Sequence, residues 1–441
     1  MKIENVKGCK DYLPKEQIIR NYINEILKET FEEFGFLSVE TPILSYYNIL
    51  SGKYDEDNDL LKEIYKLSDQ GKRNLGLRYD LTVPFAKFIA LNKNKISFPF
   101  KRYEISKVFR DGPIKLGRDR EFTQCDADIV GLSGQMIEAE VLNLYVNAFN
   151  KLNIDINIKY NSRNLMEGLI IDSGIQADLV SKTITILDKM DKVSKKELKE
   201  MLIDINLKED QINNLLDSFS LTLKELTKKY NKTSIDKLKL GIDELNNLEE
   251  YLEYLNINSY CAFAPTLARG QDYYTGNVFE VYEKSNKISS SIGAGGRYDK
   301  MITEFIDDGN IYPAIGISFG LSSIYELLKN SELFDNYSNI DLYIIPMNTE
   351  KETLKIANEL RKLGLKINIE MNKRKIKKCF EWANKNNIPY VLVIGEDEIN
   401  SQIIRIKDMD KGIETEYNIN DIEKIRDDIN EFNKRNWNLF K

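Results

Sequence analysis

The sequence predicts an α/β protein of the α+β kind: a sheet-and-helix region interrupted by a helical insertion, then a smaller α/β domain. Three observations carry this. Strand-like alternation and helical spacing take turns before residue 170. Residues 170–255 are rich in Lys, Glu, Asp and Leu at helical periodicity, with no glycine between Gly174 and Gly241. From residue 340 the order becomes strand, helix, strand, helix, strand. A length of 441 residues suffices for two or three separate cores. The boundaries expected are 1–330 for the first domain (with the insertion at 170–255), 331–339 for a linker and 340–441 for the last domain.

Residues 15–35 place apolar side chains at helical spacing and stop at Gly35. FLSVETPILS reads as one extended run, and Pro42 makes it an edge or interface segment rather than a central strand. NLGLRYDLTVPFAKFIALN reads as a strand entering a helix, with Asp80 and Thr82 at the junction. FKRYEISKVFR and EFTQCDADIVG read as two strands joined by the loop DGPIKLGRDR. GQMIEAEVLNLYVNAFNKL is an amphipathic helix. After the insertion, strand alternation returns in YCAFAPTLARGQDYYTGNVFEVYEK, followed by the glycine-rich SSIGAGGRYDKMI and by AIGISFGLSSIYELL.

Composition narrows the chemistry. Hydrophobic residues at 42 % and charged residues at 30 % fit a soluble globular protein. The net charge of −7 means that any nucleic-acid contact must come from local basic patches. Cys9, Cys125, Cys261 and Cys379 are widely separated, which argues against a disulfide framework or a zinc site and for a reducing cytoplasm. The N-terminus has no apolar signal core, so neither secretion nor membrane insertion is predicted. The chain has no histidine at all, which removes imidazole bases, Ser–His and Cys–His pairs and His-ligated zinc. Catalysis must use carboxylates, arginines, lysines, tyrosines, a metal or the substrate itself.

The densest chemical feature is residues 101–128, which hold Lys101, Arg102, Lys107, Arg110, Lys115, Arg118 and Arg120, with Asp126 and Asp128. Arginines on a strand can project into one cleft and fork onto phosphate; the competing reading is a solvated face of ion pairs. Asp126 and Asp128, at i and i+2, share one side of a strand. They could bind a cationic or NH-bearing substrate, hold Mg²⁺, or pair with the arginines. GAGGRYD either brings backbone close to a ligand or makes a tight turn between strands. NKRKIKK, residues 372–378, is either a solvated face or a contact for a nucleic-acid backbone.

These segments together resemble histidyl-tRNA synthetase along essentially the whole chain. VKGCKDYLP is similar to the family's start, and GFLSVETPIL resembles motif 1, the dimer-interface element of class II synthetases. FKRYEISKVFRDGPIKLGRDREFTQCDADIVG resembles motif 2, LARGQDYYTGNVFEV the family signature peptide, and SIGAGGRYDKMI its second signature. YDLT with QCDAD resembles the eukaryote-like branch. The resemblance implies a class II antiparallel-sheet catalytic domain with a helical insertion, plus an anticodon-binding α/β domain. It implies histidine–tRNA ligase activity in the cytoplasm by a homodimer, with L-histidine, ATP with Mg²⁺ and tRNA(His) as substrates, no membrane and no metal held directly by protein side chains.

Carried over by position, the histidine pocket falls on Asp80, Leu81, Thr82, Arg110, Gln124, Asp128, Arg269, Tyr273 and Tyr274. ATP falls on Arg110, Arg118 and Phe122, catalysis on Arg269 and Arg110, and tRNA on Lys115, Lys373, Arg374, Lys375, Lys377 and Lys378. Two positions depart from the family pattern. Ser323 stands where motif 3 carries an arginine, and Gln271 replaces an apolar residue of the signature. The first departure leaves a second reading open: a synthetase-like sensor of histidine or tRNA, such as a relative of the ATP phosphoribosyltransferase regulatory subunit.

Overall fold

The structure is a computed structural model that describes all residues except 1, 53–58, 115, 116, 118, 191, 192, 270–272, 335, 336 and 438–441. The chain forms two compact units, residues 1–329 and 330–441.

In the first unit the strands are β1 (Leu37–Ser38), β2 (Leu44–Tyr46), β3 (Lys66–Ser68), β4 (Asn74–Leu77), β5 (Phe100–Phe109), β6 (Glu121–Val130), β7 (Ile156–Ser162), β8 (Cys261–Phe263), β9 (Asn277–Glu283), β10 (Gly293–Arg297) and β11 (Ala314–Gly320). Eight of them form one sheet in the order β1-β5-β6-β11-β10-β9-β7-β8, while β2-β4-β3 make a separate small sheet. The large sheet is antiparallel except for the parallel edge pairs β1–β5 and β7–β8. The segment 36–45, read as one extended run, thus divides between two sheets: β1 pairs with β5 and β2 with β4. GAGGRYD is no turn, because Gly293–Arg297 is a central strand between β9 and β11.

Side chains alternate along a strand, and residues directly opposite on neighbouring strands share a face. The alternation in β6 therefore sorts the sheet into two surfaces. Cys125, Ala127 and Ile129 join Ile317 and Phe319 of β11, all buried. This apolar face packs on the helices Pro14–Glu33 and Gln135–Lys151, with Phe319 5.7 Å from Phe31, 4.7 Å from Tyr145 and 5.4 Å from Phe149. The other face carries Gln124, Asp126 and Asp128, opposite Ser106, Glu104 and Arg102 on β5 and Gly320, Ser318 and Gly316 on β11. A polar face laid over a fully packed one is where this unit can hold a ligand.

The insertion is helical, as its periodicity predicts. Ser194 with Glu197 and Thr222 with Glu225 form capping boxes that open Lys195–Asp204 and Leu223–Lys229. Gly241 in Asp236–Tyr254 lies so close to Arg163–Asp172 that an added Cβ would stand 2.1 Å from the Leu165 nitrogen. The glycine ending the glycine-free stretch is thus a helix-crossing contact.

The second unit holds β12 (Leu342–Pro346), β13 (Ile367–Ile369), β14 (Tyr390–Ile394), β15 (Ile403–Asp408) and β16 (Glu414–Asn418), in the order β13-β12-β14-β15-β16. Its first three strands are parallel and the last two antiparallel. Leu342, Ile344, Leu392 and Ile394 pack with Ile356 and Leu360 of the helix Glu350–Lys362 in its core.

Candidate active site

A cavity of about 410 Å³ opens over the polar face of the large sheet. Its floor is β6. Asp128 is held at both oxygens by different contacts: Arg102 Nη2 makes an ion pair at 2.7 Å with Oδ2, which accepts no hydrogen bond from the described residues, and the Tyr298 hydroxyl donates to Oδ1 at 2.5 Å. Gln124 donates through Nε2 to Ser318 Oγ at 3.1 Å, while its buried Oε1 has no partner. Gly316 is obligatory beneath them, since an added Cβ would stand 2.1 Å from Asp128 Oδ1. Gly296 plays the same part under Tyr274, whose ring lies 2.8 Å from where a Cβ would be.

Asp80 and Thr82 come from the start of the helix Thr82–Asn92. The Val83 N–H donates to Asp80 Oδ1 at 3.2 Å, as suits a carboxylate at a helix N-terminus, while buried Oδ2 has no partner. Leu81 differs from its expected role: its side chain is fully buried outside the cavity lining, and its carbonyl accepts from Arg102 Nη2 at 3.1 Å. Arg110, just beyond β5, donates through Nε to the Tyr79 carbonyl at 2.9 Å and lies 5.1 Å from the Phe122 ring centre. Arg269 meets Glu280 of β9 at 2.5 Å and lies 5.8 Å from the Tyr274 ring centre, with Tyr273 4.6 Å from Tyr274.

The electrostatics follow from burial. Burial pushes the Asp80 carboxyl up to about 6, against the Val83 N–H and the Arg110 charge. Burial lifts Asp126 to about 8; Arg102 works downward and Asp128 upward. Asp128 is also raised by burial, with Arg102 and Tyr298 opposing. For Arg269, burial disfavours the charge, but Tyr274 and Glu280 more than offset it and the pKa rises.

The structure thus brings Asp80, Thr82, Arg110, Phe122, Gln124, Asp128, Arg269, Tyr273 and Tyr274 to one cavity. Lys115 and Arg118, and also Gln271, lie outside the described residues. Lys373, Arg374, Lys375, Lys377 and Lys378 belong to the second unit, around the start of the helix Ile376–Lys385. Arg374 is held there by Glu370 at 3.5 Å and lies 5.6 Å from the Trp382 ring centre. Ser323 does line the cavity, and Gly117 lies beside it, a Cβ there standing 3.1 Å from the Ser323 Oγ. Sequence reasoning missed Tyr298, Ser318, Glu280 and the backing role of Arg102. Only Ser318 had a local signal, the alternation of AIGISFG.

A largely antiparallel sheet whose polar face sets arginines and carboxylates around one cavity is the catalytic architecture of a class II aminoacyl-tRNA synthetase. The chain matches the family model for histidyl-tRNA synthetase over residues 8–324 and that for an anticodon-binding domain over 341–427. It belongs to the histidyl-tRNA synthetase family. It is 46 % identical to Histidine–tRNA ligase 1 of Bacillus cereus, across 94 % of this chain and 95 % of that one. It is 41 % identical to Histidine–tRNA ligase 2 of Shouchella clausii, across 93 % and 97 %. The crystal structure of histidyl-tRNA synthetase from Nostoc superposes with a TM-score of 0.83 at 26 % identity, covering 97 % of this chain and 99 % of that one. Both ligases are bacterial, and the expected eukaryote-like branch finds no support in them.

Proposed function

We propose that the cavity over β6 is where this histidine–tRNA ligase joins L-histidine to the adenylyl group of ATP and then passes it to tRNA(His). The observation that carries the reading is a cavity lined by two arginines, Arg110 and Arg269, in which buried Asp80 Oδ2 and Gln124 Oε1 have no protein partner. Buried polar atoms without partners are costly, so a polar ligand that satisfies them is bound selectively. The substrate ammonium goes to Asp80 and Thr82, the imidazole N–H groups to Asp128 and Tyr274, and Gln124 meets the amino-acid backbone. An analogue without the ring nitrogens leaves these groups unpaired and is rejected.

Arg110 grips the histidine carboxylate and the α-phosphate, and Phe122 offers its ring to adenine. A carboxylate oxygen attacks the α-phosphorus and the bond to pyrophosphate breaks. Arg269 stabilises charge developing on the α-phosphate, a preorganised contribution of the oxyanion-hole kind. The terminal ribose hydroxyl of tRNA then attacks the acyl carbon and AMP leaves; a phosphate oxygen of the adenylate can take the proton, so no enzyme histidine is needed. Mg²⁺ enters with ATP as part of the substrate. Among the described residues no group of three His, Cys, Asp or Glu side chains is placed to hold a metal of its own.

The second unit contacts tRNA through Lys373, Arg374, Lys375, Lys377 and Lys378. Exposed Leu37, Ile43, Leu44 and Tyr46 support a homodimer through the motif 1 segment. Four free cysteines suit the reducing cytoplasm, and among the described residues no helix is long and apolar enough to cross a membrane.

The test is histidine-dependent ATP–pyrophosphate exchange on the purified protein. Exchange that requires histidine is expected. Calorimetric histidine binding without exchange would overturn the reading and favour a sensor.

A further inference from the structure

Behind Asp128 lies a row of buried charges, Arg102, Glu104 and Arg78, that binds no substrate in the scheme above. We propose that Arg102 is a positioning residue for amino-acid selection: it fixes the Asp128 carboxylate in the orientation that presents an acceptor to the histidine ring. The proposal rests on the reading that Asp128 receives the imidazole.

Register places the two residues together. Arg102 on β5 is directly opposite Asp128 on β6, so their side chains leave the same face side by side. Arg102 is fully buried, and its Nη2 reaches Asp128 Oδ2 at 2.7 Å and the Leu81 carbonyl at 3.1 Å. Its guanidinium lies 4.1 Å from the Phe85 ring centre, which blocks movement to one side. With Tyr298 on the other oxygen, the Asp128 carboxylate cannot rotate without breaking a contact. Each oxygen still has lone-pair capacity for one more donor. A ligand N–H therefore meets an acceptor already aimed, and none of its binding free energy goes to ordering that side chain.

Arg102 is itself seated from behind. Its Nη1 faces Glu104 Oε2 at 3.6 Å. Glu104 pairs with buried Arg78 at 2.9 Å and accepts from the Thr41 N–H at 3.1 Å and the Thr41 hydroxyl at 2.9 Å. Arg78 donates back to the Thr41 carbonyl at 2.6 Å and to the Lys107 carbonyl at 2.8 Å. Charges thus alternate in the order Arg78, Glu104, Arg102, Asp128 from the motif 1 segment to the cavity floor. Removing one member leaves another buried charge without its partner, so the row acts as a unit.

A scaffold role and a positioning role differ in what they do to KM. The experiment measures KM for histidine and for ATP in pyrophosphate exchange for Arg102→Met, Arg102→Lys, Asp128→Asn and the double variant Arg102→Met with Asp128→Asn. Arg102→Met is expected to raise the histidine KM roughly tenfold or more with the ATP KM within about twofold, and Arg102→Lys to fall between it and the parent. In the Asp128→Asn background, Arg102→Met should add nothing further, because its effect passes through Asp128. An unchanged histidine KM in Arg102→Met, equal rises for both substrates, or a full further loss in the double variant would each overturn the proposal. An unchanged histidine KM in Asp128→Asn itself would instead overturn the pocket reading on which the proposal rests. If Arg102→Met does not fold, the double variant, which removes both buried charges together, takes its place against Asp128→Asn. Failure of the double variant and of Arg102→Lys to fold would assign the arginine to the scaffold and overturn the positioning role.

Discussion

Arg269 is placed by protein groups alone. Glu280 holds Nη1 at 2.5 Å, Tyr274 lies beneath the guanidinium, and buried Nε has no partner. Such preorganisation matters most where charge develops, so Arg269→Ala should lower the exchange rate by about 10²- to 10³-fold. Histidine affinity, measured by calorimetry, should change far less; equal losses would make Arg269 an ordinary binding residue. Asp126 makes a different prediction. Its carboxyl is lifted by burial to about 8, against about 3.9 in an unfolded chain. Between those values the native state binds more protons than the unfolded state, so the contribution of Asp126 to stability falls as pH rises through that window. Asp126→Asn removes the penalty. The Tm of the variant relative to the parent should rise from pH 5 to about 8 and level off above it. A gap independent of pH in thermal melts over that range would contradict the assignment.

At the level of elements, the cavity exists because two strands, in register beside β6, give up side chains. Opposite Asp128 stands Gly316, and opposite Gly316 stands Gly296, so the floor dips where the carboxylate must lie. A methyl group on Gly316 would meet Asp128 Oδ1 at 2.1 Å and the Tyr298 ring at 3.1 Å. Overpacking of this sort costs about 1–3 kcal/mol, or about 5- to 150-fold in an equilibrium. Gly316→Ala should therefore weaken histidine binding by that order while leaving ATP binding nearly unchanged, as titration calorimetry with each ligand would show. Unaltered histidine affinity would mean that Asp128 is not a contact. The alternation of EFTQCDADIV already put Gln124, Asp126 and Asp128 on one side. The strand identity of GAGGR was not legible, because glycine has no side chain to show a two-residue period, and only pairing with β9 and β11 makes it a strand.

At the scale of the molecule, every residue lining the cavity lies between Asp80 and Ser323, within the first unit. A fragment of residues 1–329 should fold and catalyse histidine-dependent pyrophosphate exchange while losing most tRNA charging, since the basic residues at 373–378 are absent from it. Charging by the fragment at the full-length rate would remove the proposed role of the second unit. The absence of histidine also acts at this scale. It costs the proposed chemistry nothing, because the groups around the cavity are carboxylates, arginines, amides and hydroxyls, and the chain can be translated without histidyl-tRNA.

Local periodicity and motif content carry a defined part of this protein. The helical insertion, the alternation of the last domain, the shared face of Asp126 and Asp128 and the family resemblance were all readable from neighbours within a few residues. What stands behind those residues is set by long-range packing. Tyr298 reaches Asp128 from 170 positions away, Glu280 holds Arg269, and Arg102 meets Asp128 through the β5–β6 register. Leu81, adjacent in sequence to two cavity residues, turns its side chain out of the cavity for the same reason. Periods of 2 and 3.6 say which residues share a face, but partners across a sheet are chosen by long-range packing, which no local pattern records.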